Sequence, residues 1–146
     1  MIKLIHSIKE DKISKDVETA KFLLTNKKGG YLYLDTVPSS RFQGFFFNDN
    51  FQLFKTLDNI TIDKPVTQIV NNFSSVVRHR GKIKEEFVFP NEYNSFIYEL
   101  KNHKGEIIID LDCRSLFDDS ESDRFYNILV DKDKIIINNA IAIIHN

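Results

Sequence analysis

Apolar and polar positions along this chain alternate in short runs rather than in long stripes. Runs such as "KFLLT", "YLYLD", "GFFFN" and "EIIIDLDC" are rich in β-branched or aromatic residues, and turn-forming residues separate them at short, fairly regular intervals. No run sustains the 3.6-residue period of an amphipathic helix. The best helix candidate, residues 9–21, has a thin apolar face and reads better as an exposed connection or one helical turn. The pattern predicts an all-β fold, an antiparallel β-sandwich.

Turn chemistry between the runs supports this fold. In "NKKGGY", Gly29 and Gly30 separate two apolar runs, as in a tight hairpin. "HRGKI" and "KNHKGE" put Gly81 and Gly105 at two more predicted hairpin tips, and "VDKDKI" joins two Ile/Val-rich runs through a charged turn. We therefore expect sequence-adjacent strands to pair at each of these four places.

The run "GFFFN" contains three consecutive phenylalanines, which cannot share one face of a strand. Phe45 and Phe47 fall on one face and Phe46 on the other. Such a strand is either buried on both faces at the centre of a sandwich, or it offers an aromatic platform on one face. Gly44, just before it, predicts a bulge or a close backbone approach.

The last apolar run, "KIIINNAIAIIHN", differs from the others because it is nearly apolar on both strand faces. A strand of this kind at a sheet edge promotes aggregation unless something covers it. We therefore expect either that the chain is part of a longer protein or that this run pairs with a partner.

Composition narrows the function classes. The 146 residues predict one domain, residues 1–146, and a net charge of −1 creates no field that would attract nucleic acid or an anionic membrane. No run reaches the ~18 apolar residues of a membrane helix, and the N-terminal run is too interrupted for a signal peptide. The lone Cys113 is ordinary for a reducing compartment. We expect a cytoplasmic protein without nucleic-acid or membrane partners.

Candidate catalytic and metal-binding residues are weak. The four histidines lack metal-ligand spacing, and the acidic segment "FDDSESDRF" lacks the glycine of an EF-hand loop. Asp110 and Asp112 share one strand face, whereas a glycosidase pair must lie on opposite sides of a sugar. "RHRGK" is followed directly by Glu85 and Glu86, which predicts a salt-bridged hairpin. We therefore predict no catalytic residue, no metal site and no cofactor in this chain.

One block resembles a known family. The matching segments are Phe22–Asn26, Gly29–Tyr31, Thr36–Val37 and Arg41–Phe46. In order and spacing, they resemble the beginning of bacterial and archaeal glycogen-debranching enzymes of the amylo-α-1,6-glucosidase type. That family reads roughly W-L-L-x-N-G-x-G-G-Y, then T-V, then R-x-Y-H-G-L-L. The chain departs from it at Gln43, where the family has His, and at Phe42, where it has Tyr.

The resemblance implies a β-sandwich similar to the supersandwich domains of mutarotase-like and glucoamylase-like proteins, in whole or in part. It implies that residues 1–146 are the non-catalytic N-terminal accessory domain of a longer glycoside hydrolase. The domain would pack on a helical catalytic domain, in the same or a partner chain, and help to line the α-glucan site. The residues that the resemblance points to for α-glucan binding are Asn26, Tyr31, Arg41 and Gln43.

Two alternatives stay open. A free-standing glycan-binding module would need an exposed aromatic platform, for which Tyr31, Tyr33 and Phe46 are the candidates. A protein-interaction module would add its terminal strand to another chain, and a second copy of the chain is one such partner. Arg41 has its own alternative, since its planar fork suits a turn-stabilising carbonyl or carboxylate contact as well as a sugar hydroxyl.

Overall fold

The computed structural model describes residues 21–37, 40–72, 75–118, 125–138 and 141–144. The helix candidate lies outside these residues, apart from Lys21 at its end. The chain divides into two compact units, residues 1–116 and 117–146.

The described part of the first unit contains nine strands in two antiparallel sheets. In chain order they are β1 (Lys21–Thr25), β2 (Tyr31–Asp35), β3 (Gly44–Asp49), β4 (Gln52–Thr61), β5 (Gln68–Asn71), β6 (Ser75–Arg80), β7 (Ile83–Val88), β8 (Ile97–Lys101) and β9 (Ile108–Ser115). The first sheet has the order β1-β2-β3-β4-β9, and the second has the order β5-β6-β7-β8. Every neighbouring pair is antiparallel.

The hydrophobic core of this unit lies between the two sheets. Ring contacts join them, since Phe22 of the first sheet lies 5.1 Å from Phe87 of the second, and Phe45 meets Phe96 edge to face at 5.1 Å. The buried core residues are Phe22, Leu24, Leu32, Leu34, Phe45, Leu57, Ile60, Val76, Phe87 and Phe89. The predicted all-β antiparallel sandwich is therefore confirmed, with period-2 alternation turning one face of each strand inward.

The triple phenylalanine occupies β3, which is the middle strand of the first sheet. Phe45 points into the core, whereas Phe46 is buried on the opposite, outer face of the sheet. The register of β3 against β4 shifts between these two residues, as a β-bulge does. The prediction of a central strand buried on both faces is confirmed, and Phe46 is too buried to act as an exposed platform.

The second unit contains three further strands, β10 (Ile128–Asp131), β11 (Lys134–Ile137) and β12 (Ile141–Ile144). They form an antiparallel meander in the order β10-β11-β12. Ile137 is buried, whereas β10 is exposed along its whole length. The apolar run near the end of the chain thus forms strands, as predicted.

Three of the four predicted hairpins are present: the turns at Gly29–Gly30, at Gly81 and in "VDKDKI" join the pairs β1–β2, β6–β7 and β10–β11. The hairpin predicted at Gly105 is wrong. The segment between Lys101 and Ile108 instead leads from the second sheet to the first, where β9 pairs with β4. Turn residues mark where a strand ends, but strand β9 finds its partner more than 40 positions earlier in the chain.

Candidate functional site

An apolar groove of about 520 Å³ lies on the outer face of the first sheet. The hairpin register places Leu23 opposite Tyr33 and Thr25 opposite Tyr31, so their outward side chains form two adjacent rows. Phe42, from the loop Ser40–Gln43 that precedes β3, completes the wall. We call this feature the aromatic groove; its lining residues are Lys21, Phe22, Leu23, Thr25, Tyr31, Tyr33 and Phe42.

Tyr31 is held in the aromatic groove by a neighbouring ring. It stacks on Phe46 with ring centroids 4.6 Å apart and an interplanar angle of 18°, and Phe46 is its cross-strand partner. Burial raises the pKa of Tyr31 to about 12. The hydroxyl therefore keeps its proton at physiological pH and can donate as well as accept a hydrogen bond.

The rim of the aromatic groove combines flat apolar surface with polar groups. Phe42 and Leu23 are largely exposed, and the guanidinium of Arg41 lies 5.0 Å from the Phe42 ring centroid. Thr25 adds a hydroxyl and Lys21 an ammonium group to the lining. Ligands that present an apolar face and several hydroxyl groups, as sugars do, suit this mixture.

An ion cluster around one buried lysine lies on the same outer face, beside the loop Ser40–Gln43. Lys55 is only 1% exposed, and its Nζ donates to Asp112 Oδ2 at 2.9 Å, to Asp58 Oδ1, and to the carbonyl of Arg41 at 3.4 Å. Asp112 also accepts from Arg114 Nε at 2.9 Å. We call Lys55, Asp58, Asp112 and Arg114 the Lys55 cluster.

A second group of charges lies inside the sandwich. Arg78 and Glu85 face each other across β6 and β7, with Arg78 Nη2 2.7 Å from Glu85 Oε1. Glu85 also accepts from Arg80 Nε at 2.6 Å and from the Tyr98 hydroxyl at 3.0 Å. We call these four residues the interior cluster. The predicted salt-bridged hairpin is confirmed, but its central pair is buried.

The protonation of the interior cluster follows from its surroundings. Burial lowers the pKa of Arg78, although Glu85 opposes that shift. Burial and the adjacent Glu85 carboxylate raise the pKa of Tyr98. The guanidinium of Arg78 also lies 4.7 Å from the centroid of the Phe87 ring, so aromatic surface and carboxylate together surround it.

The four residues that the resemblance points to occupy different environments. Tyr31 lines the aromatic groove, and Arg41 lies over Phe42 at its rim. Asn26 instead organises the β1–β2 turn, because its Oδ1 accepts from the N–H of Lys28 and Gly30 while its Nδ2 donates to the carbonyl of Tyr93. Gln43 is 1% exposed, and its amide has no hydrogen-bond partner among the described residues. Tyr31 therefore lines the aromatic groove and Arg41 contacts Phe42 of its lining, whereas Asn26 and Gln43 are not among the lining residues.

Backbone packing explains two glycines of the block. A Cβ on Gly44 would lie 2.0 Å from the carbonyl oxygen of Leu57, and the φ angle of Gly44 is +118°. A Cβ on Gly30 would lie 2.9 Å from the carbonyl oxygen of Phe46. Both positions need glycine because another strand passes directly over them. The predicted close backbone approach at Gly44 is confirmed.

Sequence reasoning missed Leu23, Phe42 and Lys55. The hairpin turn after Thr25 sets the register of β1 on β2, so Leu23 could have been placed beside Tyr33 from that turn alone. Lys55 interrupts the apolar run "FQLFKTL", and an isolated charge in such a run is itself a signal. No strand pattern identifies Phe42, because it comes from a loop; only the resemblance, in which it takes the place of a Tyr, draws attention to it.

The described residues contain no group of three or more His, Cys, Asp or Glu side chains that could hold a metal ion. Nor do they include a helix with the length and apolar character needed to cross a bilayer.

Comparisons with known proteins identify no relative. No family model, curated protein or solved structure matches the chain.

Proposed function

We propose that this chain is a non-catalytic accessory domain that contacts an α-glucan through the aromatic groove. The observation that carries the proposal is the row of Tyr31, Tyr33 and Phe42 on one open face, beside Arg41. Aromatic rings pack against the C–H faces of pyranose rings, and phenol, hydroxyl and guanidinium groups bind the sugar hydroxyls. An open groove suits a chain of sugars better than a small enclosed ligand.

The resemblance supports a more specific context for this binding. The block that resembles amylo-α-1,6-glucosidase-type debranching enzymes contains Tyr31, Arg41 and Phe42, which are residues of the groove and its rim. The parent reaction would be hydrolysis of an α-1,6 branch, with the acid and base carboxylates on another domain. The lone Cys113 agrees with a cytoplasmic enzyme.

Affinity electrophoresis through glycogen-containing gels and calorimetry with maltoheptaose test this proposal. We expect retardation of the wild-type chain and its loss in Phe42→Ala and Tyr33→Ala, since each removes one stacking surface. Tyr93→Ala is the matched control, because Tyr93 is an exposed aromatic residue that does not line the groove. Absence of wild-type binding, or an equal loss in the control, would contradict the proposal.

Exposed apolar residues of the second unit favour a second function, the docking of another domain or chain. Val130 is 76% exposed on β10, and Ile128 and Leu129 beside it are half exposed. In the described sheet β10 is an edge strand, and an apolar edge strand binds another strand readily. The catalytic domain implied by the resemblance is the proposed occupant, and a second copy of the chain is the competing one.

Light scattering after size exclusion separates these occupants. Self-association that Val130→Lys abolishes would assign β10 to a dimer, whereas a monomer that binds the separately expressed catalytic domain would support the accessory role. Phe51→Lys is the control, since Phe51 is fully exposed but belongs to the β3–β4 turn of the first unit. A monomer that binds no such domain would contradict this second function.

A further inference from the structure

We propose that Lys55 is a positioning residue for the aromatic groove: its ammonium group fastens the loop Ser40–Gln43, which carries Phe42, to the first sheet. The use of the groove for glucan rests on the proposed function, but the fastening itself does not. The inference follows from three contacts of one buried side chain.

The first contact is with the loop. Nζ of Lys55 lies 3.4 Å from the carbonyl oxygen of Arg41, the residue directly before Phe42. Within the loop, Ser40 supports the same turn, because its Oγ accepts from the N–H of Phe42 and its carbonyl accepts from the N–H of Gln43. The loop thus has its own local turn, and Lys55 joins that turn to strand β4.

The second contact is with the aromatic stack. Nζ of Lys55 lies 5.8 Å from the centroid of the Phe46 ring, and Phe46 is the ring on which Tyr31 stacks. Lys55 and Phe46 are also cross-strand partners. One cation therefore contacts both components of the groove, the loop that carries Phe42 and the ring that supports Tyr31.

The third contact explains why a lysine can occupy this place. A Cβ on Gly44 would lie 2.9 Å from Cε of Lys55, so the lysine stem crosses directly over a residue that has no side chain. Asp58 and Asp112 then accept two of the three ammonium N–H groups, and the Arg41 carbonyl accepts the third. The ammonium is thereby satisfied although water hardly reaches it.

A methionine in place of Lys55 would keep the length of the stem but lose all three hydrogen bonds. The loop would then lose this connection to β4, and it would open more often without unfolding of the sandwich. Arg41 is exposed and is a trypsin site, so cleavage after Arg41 reports this opening directly. Lys82, exposed at the β6–β7 turn, provides a reference site in the same digest.

The test compares the cleavage rates after Arg41 and after Lys82 in folded protein. For Lys55→Met we expect this ratio to rise about tenfold, which corresponds to about 1.4 kcal/mol of local opening free energy. Asp58→Asn should raise it less, because it replaces one charged acceptor by a neutral amide oxygen and leaves Asp112 and the Arg41 carbonyl in place. Lys101→Met is the control, since Lys101 makes an exposed ion pair in the second sheet.

The glucan measurement provides an independent arm. We expect Lys55→Met to bind maltoheptaose several-fold more weakly, although Lys55 does not line the groove. If the wild-type chain binds no glucan, the proposed function fails while the cleavage ratio still tests the fastening. An unchanged ratio in Lys55→Met, or an equal increase at Arg41 and Lys82, would overturn the inference.

Discussion

The interior cluster and the Lys55 cluster both remove charge from water, but their surroundings differ. In the interior cluster, Glu85 of β7 is fully buried and meets Arg78 and Arg80 of β6 and Tyr98 of β8, the two neighbouring strands. In the Lys55 cluster the cation is buried, but the carboxylates reach solvent, with Asp58 36% and Asp112 21% exposed.

This difference indicates what each cluster does. A charge group sealed between two sheets has no contact with a ligand surface, so it stabilises the arrangement of the strands and, because Arg80 donates to the carbonyls of Ile62 and Lys64, the connection between β4 and β5. A half-open group can join a sheet to a loop, as Lys55 does with the carbonyl of Arg41. Buried charge alone therefore does not identify a functional site; the element that the charge holds is the informative part.

The largest expected effect comes from breaking the interior cluster. Glu85→Gln leaves two guanidinium groups without their carboxylate, so we expect a loss of about 3–5 kcal/mol in the free energy of unfolding, measured by urea denaturation. Glu86→Gln is the control, because Glu86 pairs with Lys84 near the surface, and it should hardly move the midpoint. Equal effects of the two substitutions would remove the distinction between sealed and open charges.

Two glycines with positive φ extend the comparison of a closely packed and an open position to the backbone. Gly44→Ala combines a positive φ with an overlap onto the Leu57 carbonyl, so it should cost more than the ~1–3 kcal/mol of φ strain alone. Gly81→Ala, in the β6–β7 turn, has a φ of +64° but no atom within 4 Å of the added Cβ, and should show the strain alone. Thermal unfolding of both variants measures the difference. A smaller loss of stability in Gly44→Ala than in Gly81→Ala would mean that β3 and β4 can move apart at Gly44 at little cost in free energy.

A smaller effect is expected from the open cluster. Asp112→Asn weakens one contact to Lys55 and one to Arg114 but leaves Asp58 in place, so we expect a loss of about 1–2 kcal/mol. The same urea experiment measures it. If Asp112→Asn destabilised the protein as much as Glu85→Gln, the Lys55 cluster would have to be regarded as a sealed one.

The smallest effect concerns the ionisation of Tyr31, in the aromatic groove, at alkaline pH. The folded-state pKa of Tyr31 is raised to about 12, above the ordinary value near 10, so its contribution to stability is complete below pH 10 and is lost as the pH rises towards 12. Tyr31→Phe should abolish one late phase in the ultraviolet titration of tyrosinate and flatten this decline. An unaltered late phase would show that the ring stack does not shield Tyr31.

The pattern of the sequence predicts the sandwich well because strands with period-2 alternation have few ways to bury one face. It predicts the central place of Phe45–Phe47 for the same reason. It does not predict that Lys55 lies over Gly44, or that the Gly105 segment changes sheets, because both depend on which distant strands become neighbours. The resemblance points to Tyr31 and Arg41, which lie at the groove and its rim, and equally to Asn26, whose polar atoms the turn uses.

The pairing of β9 with β4 has a consequence for biosynthesis. The whole second sheet, from Gln68 to Lys101, lies between β4 and β9 in the sequence. The edge of β4 that pairs with β9 therefore stays unpaired while the ribosome synthesises the second sheet. At about 5–20 residues per second this interval lasts seconds, whereas a hairpin closes in microseconds. The nascent chain thus carries an unfinished sheet during that interval, and chaperones that bind extended apolar segments have time to act on it.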